Sequence, residues 1–429
     1  MKQRFVTGKL IAFAAFLVLL SAPSFVFANG TKESTSAASA AVSKPASVTF
    51  YMAEYDGLKQ SYWTSLQKAF NDSQSQVHVH ILGIGWNEIH NKLTTALAGG
   101  DPPQASIIGT RWLLSYVKND EVVQPRKYVS PATWSNILPG DMTAKIDGKI
   151  WAIPDAAGAR ILAINTSFTK RIPKTMQQLE QDAIAANDPP NHAGLIMTGK
   201  KAAELSPFVY YFYAAGGHFF SHKPDGSLLK SDVNSAAGIQ ALTFMNKLAN
   251  VDKVVQPGFL GQNREEAEPV FYAGKAAYVM IGAWVKSAMQ QAGSKFPVEY
   301  AQIPPFAGHK PAPLTVADSI AFFKGAPHLH AMGKFIDFFY QRKWKSKFDE
   351  QVGFPPVTKS ELSMSAFHSP LYTALNGAAE DARSWPLVNH WSHVSSIMWN
   401  AVTRVLLQQE TPKAALDHAA AHINSVMGL

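Results

Sequence analysis

The regular alternation of short apolar runs with amphipathic segments near the start of the chain constrains its fold more than any other feature. The apolar runs lie at 47–52, 77–82 and 105–108 and have the length of buried strands. Between them, at 58–70 and 89–97, apolar residues recur at the spacing of one helix face. Strands separated by helices pair in parallel, because parallel neighbours need a long crossover connection. The pattern therefore predicts an α/β fold.

The length of the chain indicates more than one lobe, because 429 residues exceed the size at which a single hydrophobic core stops growing. A stretch at 147–165, DGKIWAIPDAAGARILAIN, holds two apolar strands separated by Pro154 and a run of small residues. We expect Pro154 to end the first strand. The stretch is either a crossing between two lobes or an ordinary loop within one sheet. Taken alone, it favours the loop.

The N-terminal residues have the organisation of an export signal. A basic start precedes an apolar run at 10–20, and Val26 and Ala28 are small residues at the third and first positions before a cleavage site after Ala28. Residues 1–28 are therefore predicted to be a signal peptide. The apolar run is shorter than the roughly 20 residues of a membrane span. Residues 29–45 contain almost no large apolar side chain and are predicted to form a disordered tether. We therefore expect a periplasmic protein.

The cysteine count and the distribution of charge argue against disulfide-bonded, lipid-anchored and nucleic-acid-binding proteins. The chain has no cysteine, so neither a disulfide nor a lipid anchor on an N-terminal thiol is possible. The leader holds three of the 39 basic residues and none of the 31 acidic ones. The rest of the chain therefore has 36 basic and 31 acidic residues. The densest basic group, Arg342, Lys343, Lys345 and Lys347, lies on a predicted helix and is expected to be a solvated face. We expect no nucleic-acid partner.

Each of the three predicted strands is followed by an aromatic residue and a planar polar residue. The three pairs are Glu54 and Tyr55, Trp86 and Asn87, and Arg111 and Trp112. Ligands of parallel sheets bind beyond the carboxyl ends of the strands, which places all three pairs at one edge. Aromatic faces stack on sugar rings, while the polar groups bond neighbouring hydroxyls in pairs. The alternative is that Trp86 and Trp112 only pack on the following helices.

Short motifs in the rest of the chain carry a family resemblance. FYAGKAA at 271–277 and GAW at 282–284 are similar to the F-x-x-G-K-A-A…G-x-W signature of the extracellular solute-binding family, which includes maltose-binding protein and serves ATP-driven importers. Further matches follow the family's order, and they are GDPP at 100–103, the stretch at 147–165, PKT at 173–175, AGG at 215–217, GFPPV at 353–357 and TPKAAL at 411–416. The shared order, rather than any single motif, supports the resemblance.

The resemblance implies an α/β two-lobe periplasmic-binding-protein fold, type II or Venus-flytrap, with about three crossings between the lobes. The expected segments are an N-terminal lobe of 46–154 and 315–353, a C-terminal lobe of 158–312 and 358–429, and hinges near 155–157, 313–314 and 354–357. The resemblance also implies that Trp284, Trp385, His390 and Trp391 reach the cleft. The expected ligand-binding set further includes Asp155, Tyr213, Gly216 and Asp318.

The function implied by the resemblance is capture of a mono- or oligosaccharide and its delivery to the permease subunits of an ABC importer. We expect a monomer without enzymatic activity, metal or other cofactor. Two departures from the family pattern are Gln104, where Asp is usual, and Arg111, which replaces a carboxylate of maltose-type binders. Arg111 is able to bond a neutral sugar or to pair with a phosphate or uronate.

Two alternatives stay open. One is a binder of a phosphorylated polyol, such as glycerol 3-phosphate or a glycerophosphodiester, which Arg111 would suit. The other is an exported glycan hydrolase, in which Glu54 and Asp155 would be the first carboxylates to test. His418 and His422 are spaced for one helix face but lack a third metal ligand nearby in sequence.

Overall fold

The computed structural model describes residues 44–139, 144–201 and 205–429. The predicted signal peptide and nearly all of the predicted tether lie outside these described residues. The described strands are β1 (Ala46–Glu54), β2 (Val77–Gly85), β3 (Ala105–Gly109), β4 (Val122–Val123), β5 (Lys145–Ile146), β6 (Lys149–Ile150), β7 (Ala152–Ala159), β8 (Ile161–Asn165), β9 (Ala193–Ile196), β10 (Phe220–His222), β11 (Leu228–Ser231), β12 (Ala276–Ile281), β13 (Val298–Gln302), β14 (Leu314–Phe323) and β15 (Arg383–Ser384).

Helices connect most of these strands and cover the sheets. The described α-helices are α1 (Gln60–Ser73), α2 (Trp86–Ala98), α3 (Leu113–Lys118), α4 (Pro131–Asn136), α5 (Met176–Ala185), α6 (Ser206–Ala214), α7 (Ala236–Asn246), α8 (Arg264–Tyr272), α9 (Val285–Gln291), α10 (Leu329–Phe339), α11 (Arg342–Val352), α12 (Pro370–Glu380), α13 (Trp391–Leu406) and α14 (Pro412–Met427). The predicted early order of strand, helix, strand, helix, strand is confirmed.

The larger sheet has the order β15-β14-β3-β1-β2, and β4 and β7 also pair with β14. Strand β1 lies parallel to β2 and β3, as the alternation predicts. Strand β14 joins from the second half of the chain and runs antiparallel to β3 and β7. The carboxyl ends of β1, β2 and β3 therefore share one edge, which carries the three predicted residue pairs.

The smaller sheet has the order β13-β8-β12-β9. Strand β8 runs antiparallel to β12 and β13, and β9 lies parallel to β12. A second hydrophobic cluster links this sheet to α6, α7, α13 and α14 through buried side chains that include Phe212, Leu242, Trp399 and Leu416. Each sheet thus has helices packed on it, which gives the chain two lobes.

The stretch at 147–165 is a crossing between the two sheets, not a loop within one. Strand β7 belongs to the larger sheet and β8 to the smaller one, with Arg160 alone between them. The backbone N–H of Arg160 donates a 2.7 Å hydrogen bond to the carbonyl oxygen of Leu314, where β14 begins. Two passages between the lobes therefore run side by side.

The expectation that Pro154 ends its strand is wrong. Strand β7 continues to Ala159, with Pro154 opposite Ser319 and Ala156 opposite Asp318, so Asp155 is the extra residue of a β-bulge. Bulges accommodate proline because the ladder is already interrupted there. The predicted hinge at 155–157 thus lies inside a paired strand, and the chain leaves the sheet at Arg160 instead.

Two further expectations differ from the structure. Residues 383–384, expected in the C-terminal lobe, form β15 and pair with β14 of the larger sheet. Lys345, expected on a solvated helix face, is completely buried, whereas Lys343 and Lys347 on the same helix are exposed. The remaining lobe boundaries stay a prediction.

Candidate functional site

Three aromatic rings from the predicted pairs form a continuous stack at the edge of the larger sheet. The ring of Trp86 lies between those of Tyr55 and Trp112, with centroid distances of 5.4 and 5.5 Å and interplanar angles of 26° and 22°. All three side chains are at least nine-tenths buried. The structure therefore brings together residues that are spread over more than 50 positions of the sequence, from Tyr55 to Trp112.

Arg111 joins this stack to aromatic residues from the C-terminal part of the chain. Its guanidinium carbon lies 4.8 Å from the ring centroid of Trp112, 5.7 Å from that of Trp86 and 5.9 Å from that of Trp385. Trp385 in turn packs on Trp391 at 5.5 Å. Such distances are those of cation–π contacts, so the charge of Arg111 is held mainly against aromatic faces.

Tyr55 also connects the stack to β14. Its hydroxyl donates a 2.9 Å hydrogen bond to Oδ2 of Asp318, and both residues are buried. Burial raises the pKa of Tyr55 well above its ordinary value, and the nearby Asp318 raises it further. The phenol therefore stays protonated as a donor, and its ring orientation is set by Asp318.

A second aromatic centre lies on the side of the smaller sheet. The Trp284 ring is flanked by the guanidinium groups of Arg160 and Arg264, at 4.6 and 4.3 Å from its centroid. Its Nε1–H donates a 2.7 Å hydrogen bond to Oε2 of Glu268, which also accepts one from the Tyr272 hydroxyl. Sequence reasoning identified Trp284 but missed the two arginines and Glu268.

The signals that could have identified these missed residues are weak. Arg160 is the one large polar residue in the small-residue part of the crossing stretch, and Arg264 opens the helix that precedes the FYAGKAA motif. Nothing in their spacing indicates that both would contact Trp284. Only the folded chain, which places β8, α8 and the end of β12 together, brings them to one ring.

The two lobes are in direct contact along the cleft. Nδ2 of Asn87 donates a 2.8 Å hydrogen bond to Oε2 of Glu265, and Nε2 of Gln291 donates one of the same length to the Gly57 carbonyl. Arg264 lies 3.9 Å from Oδ2 of Asp56. These contacts join loops of the larger sheet to α8 and α9, so the structure represents a closed arrangement.

Cavities remain at this boundary. One of about 60 Å³ is lined by Trp86 and Asn87 on one side and by Tyr210, Arg264 and Glu268 on the other. An open recess of about 660 Å³ has a lining that includes Glu54, Tyr55, Asp56, Trp86 and Asn87. Trp86 lines both, and its buried Nε1–H has no hydrogen-bond acceptor among the described residues. An entering hydroxyl would supply that acceptor.

The other predicted site residues are spread more widely. Tyr213 donates a 3.0 Å hydrogen bond to the Ser384 carbonyl, and His390 is exposed at the start of α13; both line a separate groove. Gly216 has a φ of +78° at the end of α6, where its conformation favours glycine. The structure brings neither Gly216 nor Asp155 to the described cavities.

Asp155 lies in a buried ionic cluster behind the cleft. Its Oδ1 is 3.7 Å from Nζ of Lys345, which also donates to its backbone carbonyl at 2.8 Å and to Oδ1 of Asp349 at 2.5 Å. Burial raises the pKa of Asp155 to about 6, against the opposing effect of Lys345. The bulge in β7 explains this placement, because a bulged residue has its side chain re-aimed.

Glu268 provides a pH-dependent test of the second aromatic centre. Burial raises the pKa of Glu268 to about 8, although Arg264 opposes the shift. A folded pKa above the unfolded value means that stability is lost as pH rises toward 8. We expect Glu268→Gln to gain on the order of 2 kcal/mol of unfolding free energy, relative to wild type, between pH 5 and pH 8.

Urea unfolding at several pH values would measure this difference. Glu88→Gln, an exposed substitution on α2, is the matched control and should leave the pH profile unchanged. Parallel profiles for Glu268→Gln and wild type would show that Glu268 does not change protonation in this range.

Among the described residues, no group of three or more His, Cys, Asp or Glu side chains is arranged to hold a metal ion. Within the same part of the chain, every helix is too short or too polar to cross a membrane.

Two lobes that meet over a cleft and are joined by several chain passages define the class of two-lobed binding proteins. A family model described as bacterial extracellular solute-binding protein matches residues 65–374, and the chain belongs to this family. Among solved structures, maltose-bound MalE3 of T. maritima is similar with a TM-score of 0.80 at 19% identity, covering 89% of this chain and all of that one. This likeness confirms the predicted two-lobe, type II fold.

Two relatives are similar in sequence. A protein of Brucella abortus (strain 2308), whose name says only that it is a binding protein, is 26% identical over 391 residues, which are 89% of this chain and 93% of the relative. The galactooligosaccharide-binding protein of Bacillus subtilis (strain 168) is 22% identical over 290 residues, or 64% of this chain and 65% of the relative. Both similarities extend over most of the described chain.

Proposed function

We propose that this protein captures a mono- or oligosaccharide in the cleft between its lobes and delivers it to the membrane permease of an ABC importer. The observation that carries the proposal is the Tyr55–Trp86–Trp112 stack, which faces Arg264 and Glu268 across the cleft. Because Tyr55 and Trp112 cover both faces of the Trp86 ring, the stack offers its edge and the buried Nε1–H of Trp86, beside planar polar groups suited to sugar hydroxyls. The named ligands of the B. subtilis relative and the T. maritima structure, galactooligosaccharide and maltose, support the same class.

The mechanism is an equilibrium between open and closed lobes, without bond chemistry. A ligand favours closure only if it contacts the closed form better than the open one. Trp86 and Asn87 come from one lobe and Arg264 and Glu268 from the other, so a sugar that separated these residues would touch both lobes. The Asn87–Glu265 hydrogen bond also joins the lobes. A sugar therefore adds to an existing set of closing contacts.

The placement of the suspected carboxylates argues against a glycan hydrolase. Glycosidases need two carboxyl groups on either side of the bond that is cleaved. Glu54 is exposed at the end of β1, whereas Asp155 is completely buried and paired with Lys345. The two residues therefore do not form such a pair, and we propose a protein without enzymatic activity.

The placement of Arg111 favours a neutral sugar ring over a phosphorylated polyol at the stack. Its guanidinium is surrounded by three tryptophan rings and is only 5% exposed. A phosphate is bound by several charge-assisted hydrogen-bond donors at once, and the faces of aromatic rings supply none. Glycerol 3-phosphate and glycerophosphodiesters are nevertheless the direct competitors in a test of the ligand.

Isothermal titration calorimetry of the purified exported protein, against neutral mono- and oligosaccharides and these phosphates, tests the proposal. We expect saturable, one-to-one binding of a neutral saccharide with a dissociation constant of about 1 μM or tighter, and no product after prolonged incubation. Binding of the phosphates alone would show that the ligand is a phosphorylated polyol and not a carbohydrate. Turnover of an oligosaccharide would show that the protein is an enzyme.

A further inference from the structure

A groove of about 830 Å³ lies beside the aromatic stack and spans both lobes. Leu114 and Lys118 of α3 form one wall, while Tyr213, His218 and the segment 383–390 form much of the rest. Its size is within the roughly 300–1,000 Å³ of small-molecule sites. The groove borders the segment that holds Trp385, because Ser384 and Pro386 in its wall flank that residue, which contacts Arg111.

The charges in this groove all have one sign. Lys118 and Arg383 are the permanently charged lining residues, and none of the residues that line the groove is Asp or Glu. Within the described residues, neither of the two cations forms a salt bridge; Nη1 of Arg383 instead donates a 3.2 Å hydrogen bond to the Gly217 carbonyl and lies 3.2 Å from Nε2 of His218. The guanidinium is thus oriented by neutral partners, and its charge is left without a counter-ion.

The groove is also lined by three histidines, His218, His222 and His390. Burial lowers the pKa of His218, and the neighbouring Arg383 lowers it further. His218 is therefore neutral near pH 7 and is able to donate to and accept from hydroxyl groups. The groove thus combines two cations with neutral groups suited to a polyhydroxylated ligand.

The recess of about 660 Å³, which Tyr55 and Trp86 line, contains acidic side chains instead. It is lined by four carboxylates, and they are Glu54, Asp56, Glu88 and Glu265. No lysine or arginine is among its lining residues, although the neighbouring Arg264 forms ion pairs with Glu265 at 2.8 Å and Asp56 at 3.9 Å. A ligand that reached from the recess to the groove would have acidic side chains at one end and cations at the other. An anionic group would be repelled from the first and attracted to the second.

We propose that the carbohydrate bound by this protein is acidic, a uronate or sulfated oligosaccharide whose anionic unit occupies the groove between Lys118 and Arg383. The proposal rests on the proposed carbohydrate function and specifies its substrate class. A carboxylate or sulfate in the groove would contact the cation of the α3 wall and that of the β15 wall.

Calorimetry with matched trisaccharides tests the inference. The probes are maltotriose and its C6-oxidised uronate form, and galactotriose and trigalacturonate, each at 20 and 200 mM sodium chloride. We expect the acid member of one pair to bind about tenfold tighter than its neutral partner at low salt, with the advantage shrinking at high salt. Sodium sulfate alone should not compete at millimolar concentration; full competition by sulfate would indicate an adventitious ion site and overturn the inference.

Variants separate the groove from the rest of the cleft. Lys118→Gln and Arg383→Gln should each weaken binding of the acid trisaccharide about three- to tenfold and leave the neutral one within about twofold. Lys92→Gln, an exposed lysine of α2 outside the groove, is the matched control and should change neither. Equal losses for acid and neutral probes would show that these residues act on folding or closure, not on charge.

The outcomes distinguish this inference from the proposed function. Binding of a neutral trisaccharide that equals or exceeds that of its acid form would overturn the inference and leave the carbohydrate function standing. Failure of all four trisaccharides, together with binding of glycerol 3-phosphate, would overturn both.

Discussion

Replacing Lys345 with methionine is expected to lower the free energy of unfolding by about 3–5 kcal/mol. Lys345 is completely buried, and so are the three carboxyl groups around it, which belong to Asp155, Asp349 and Glu361. Its ammonium group bonds Oδ1 of Asp349 at 2.5 Å and lies 3.7 Å from Oδ1 of Asp155. Methionine fills a similar volume but leaves these carboxyl groups without a cation in a medium that opposes their ionisation.

The loss should depend on pH. Burial raises the pKa of Asp349, and removal of the lysine charge would raise it further, as it would that of Asp155. A carboxyl group whose pKa is higher in the folded than in the unfolded protein is neutral in the folded state at low pH. Its contribution to the free energy of unfolding is lost as pH rises through the folded pKa. We therefore expect the gap between wild type and Lys345→Met to widen from pH 5 to pH 8.

Urea unfolding at pH 5 and pH 8 would measure both effects. Lys347→Met is the matched control, because Lys347 is exposed on the same helix, α11, and should change the unfolding free energy by less than about 0.5 kcal/mol. A Lys345→Met protein as stable as the control would contradict the ionic role of Lys345.

The second large effect is expected on ligand affinity, where Trp86→Ala should weaken binding of the tightest neutral saccharide by about 2–4 kcal/mol. The ring lies between Tyr55 and Trp112 and lines two of the cavities at the cleft. Its removal would take away the ring edge that borders these cavities and the buried Nε1–H that has no acceptor among the described residues. Trp86→Phe keeps part of the ring and should lose about half as much.

A stability control is needed, because Trp86 is also 95% buried. Trp344→Ala removes a tryptophan that packs on Tyr62 and Phe338, away from the cleft cavities. It should lower the free energy of unfolding by about 3–5 kcal/mol with little change in the dissociation constant of the folded protein. If Trp86→Ala behaved in the same way, the stack would be part of the core and not of the binding surface.

The ionic cluster and the stack are physically connected through Tyr55. Its ring packs edge-on against Phe348 and Phe354, at 6.0 and 5.7 Å, and Phe348 lies on the same helix as Lys345 and Asp349. Helix α11 therefore holds both the cluster and the back of the stack. This arrangement explains why the cluster lies directly behind the candidate site while Asp155 itself contributes no open face to it.

Several features were predictable from local pattern. Apolar period and helix spacing predicted β1, β2 and β3 and their parallel pairing, and the pairing then placed Tyr55, Trp86 and Trp112 at one edge. These predictions hold because each depends on residues within one or two neighbouring elements.

The sequence by itself determined the fold class, the aromatic edge of the larger sheet and the existence of a second lobe. Hydrophobic periodicity depends only on neighbouring residues, and the total length exceeds what one hydrophobic core accommodates. Only the tertiary structure decided which charges are buried. Lys345 and Asp349 are four residues apart on α11, which is also the pattern of a surface ion pair. Burial followed from the bulge at Asp155, almost 200 residues earlier, and the pairing of Arg160 and Arg264 with Trp284 likewise required strands and helices that meet only after the lobes have formed.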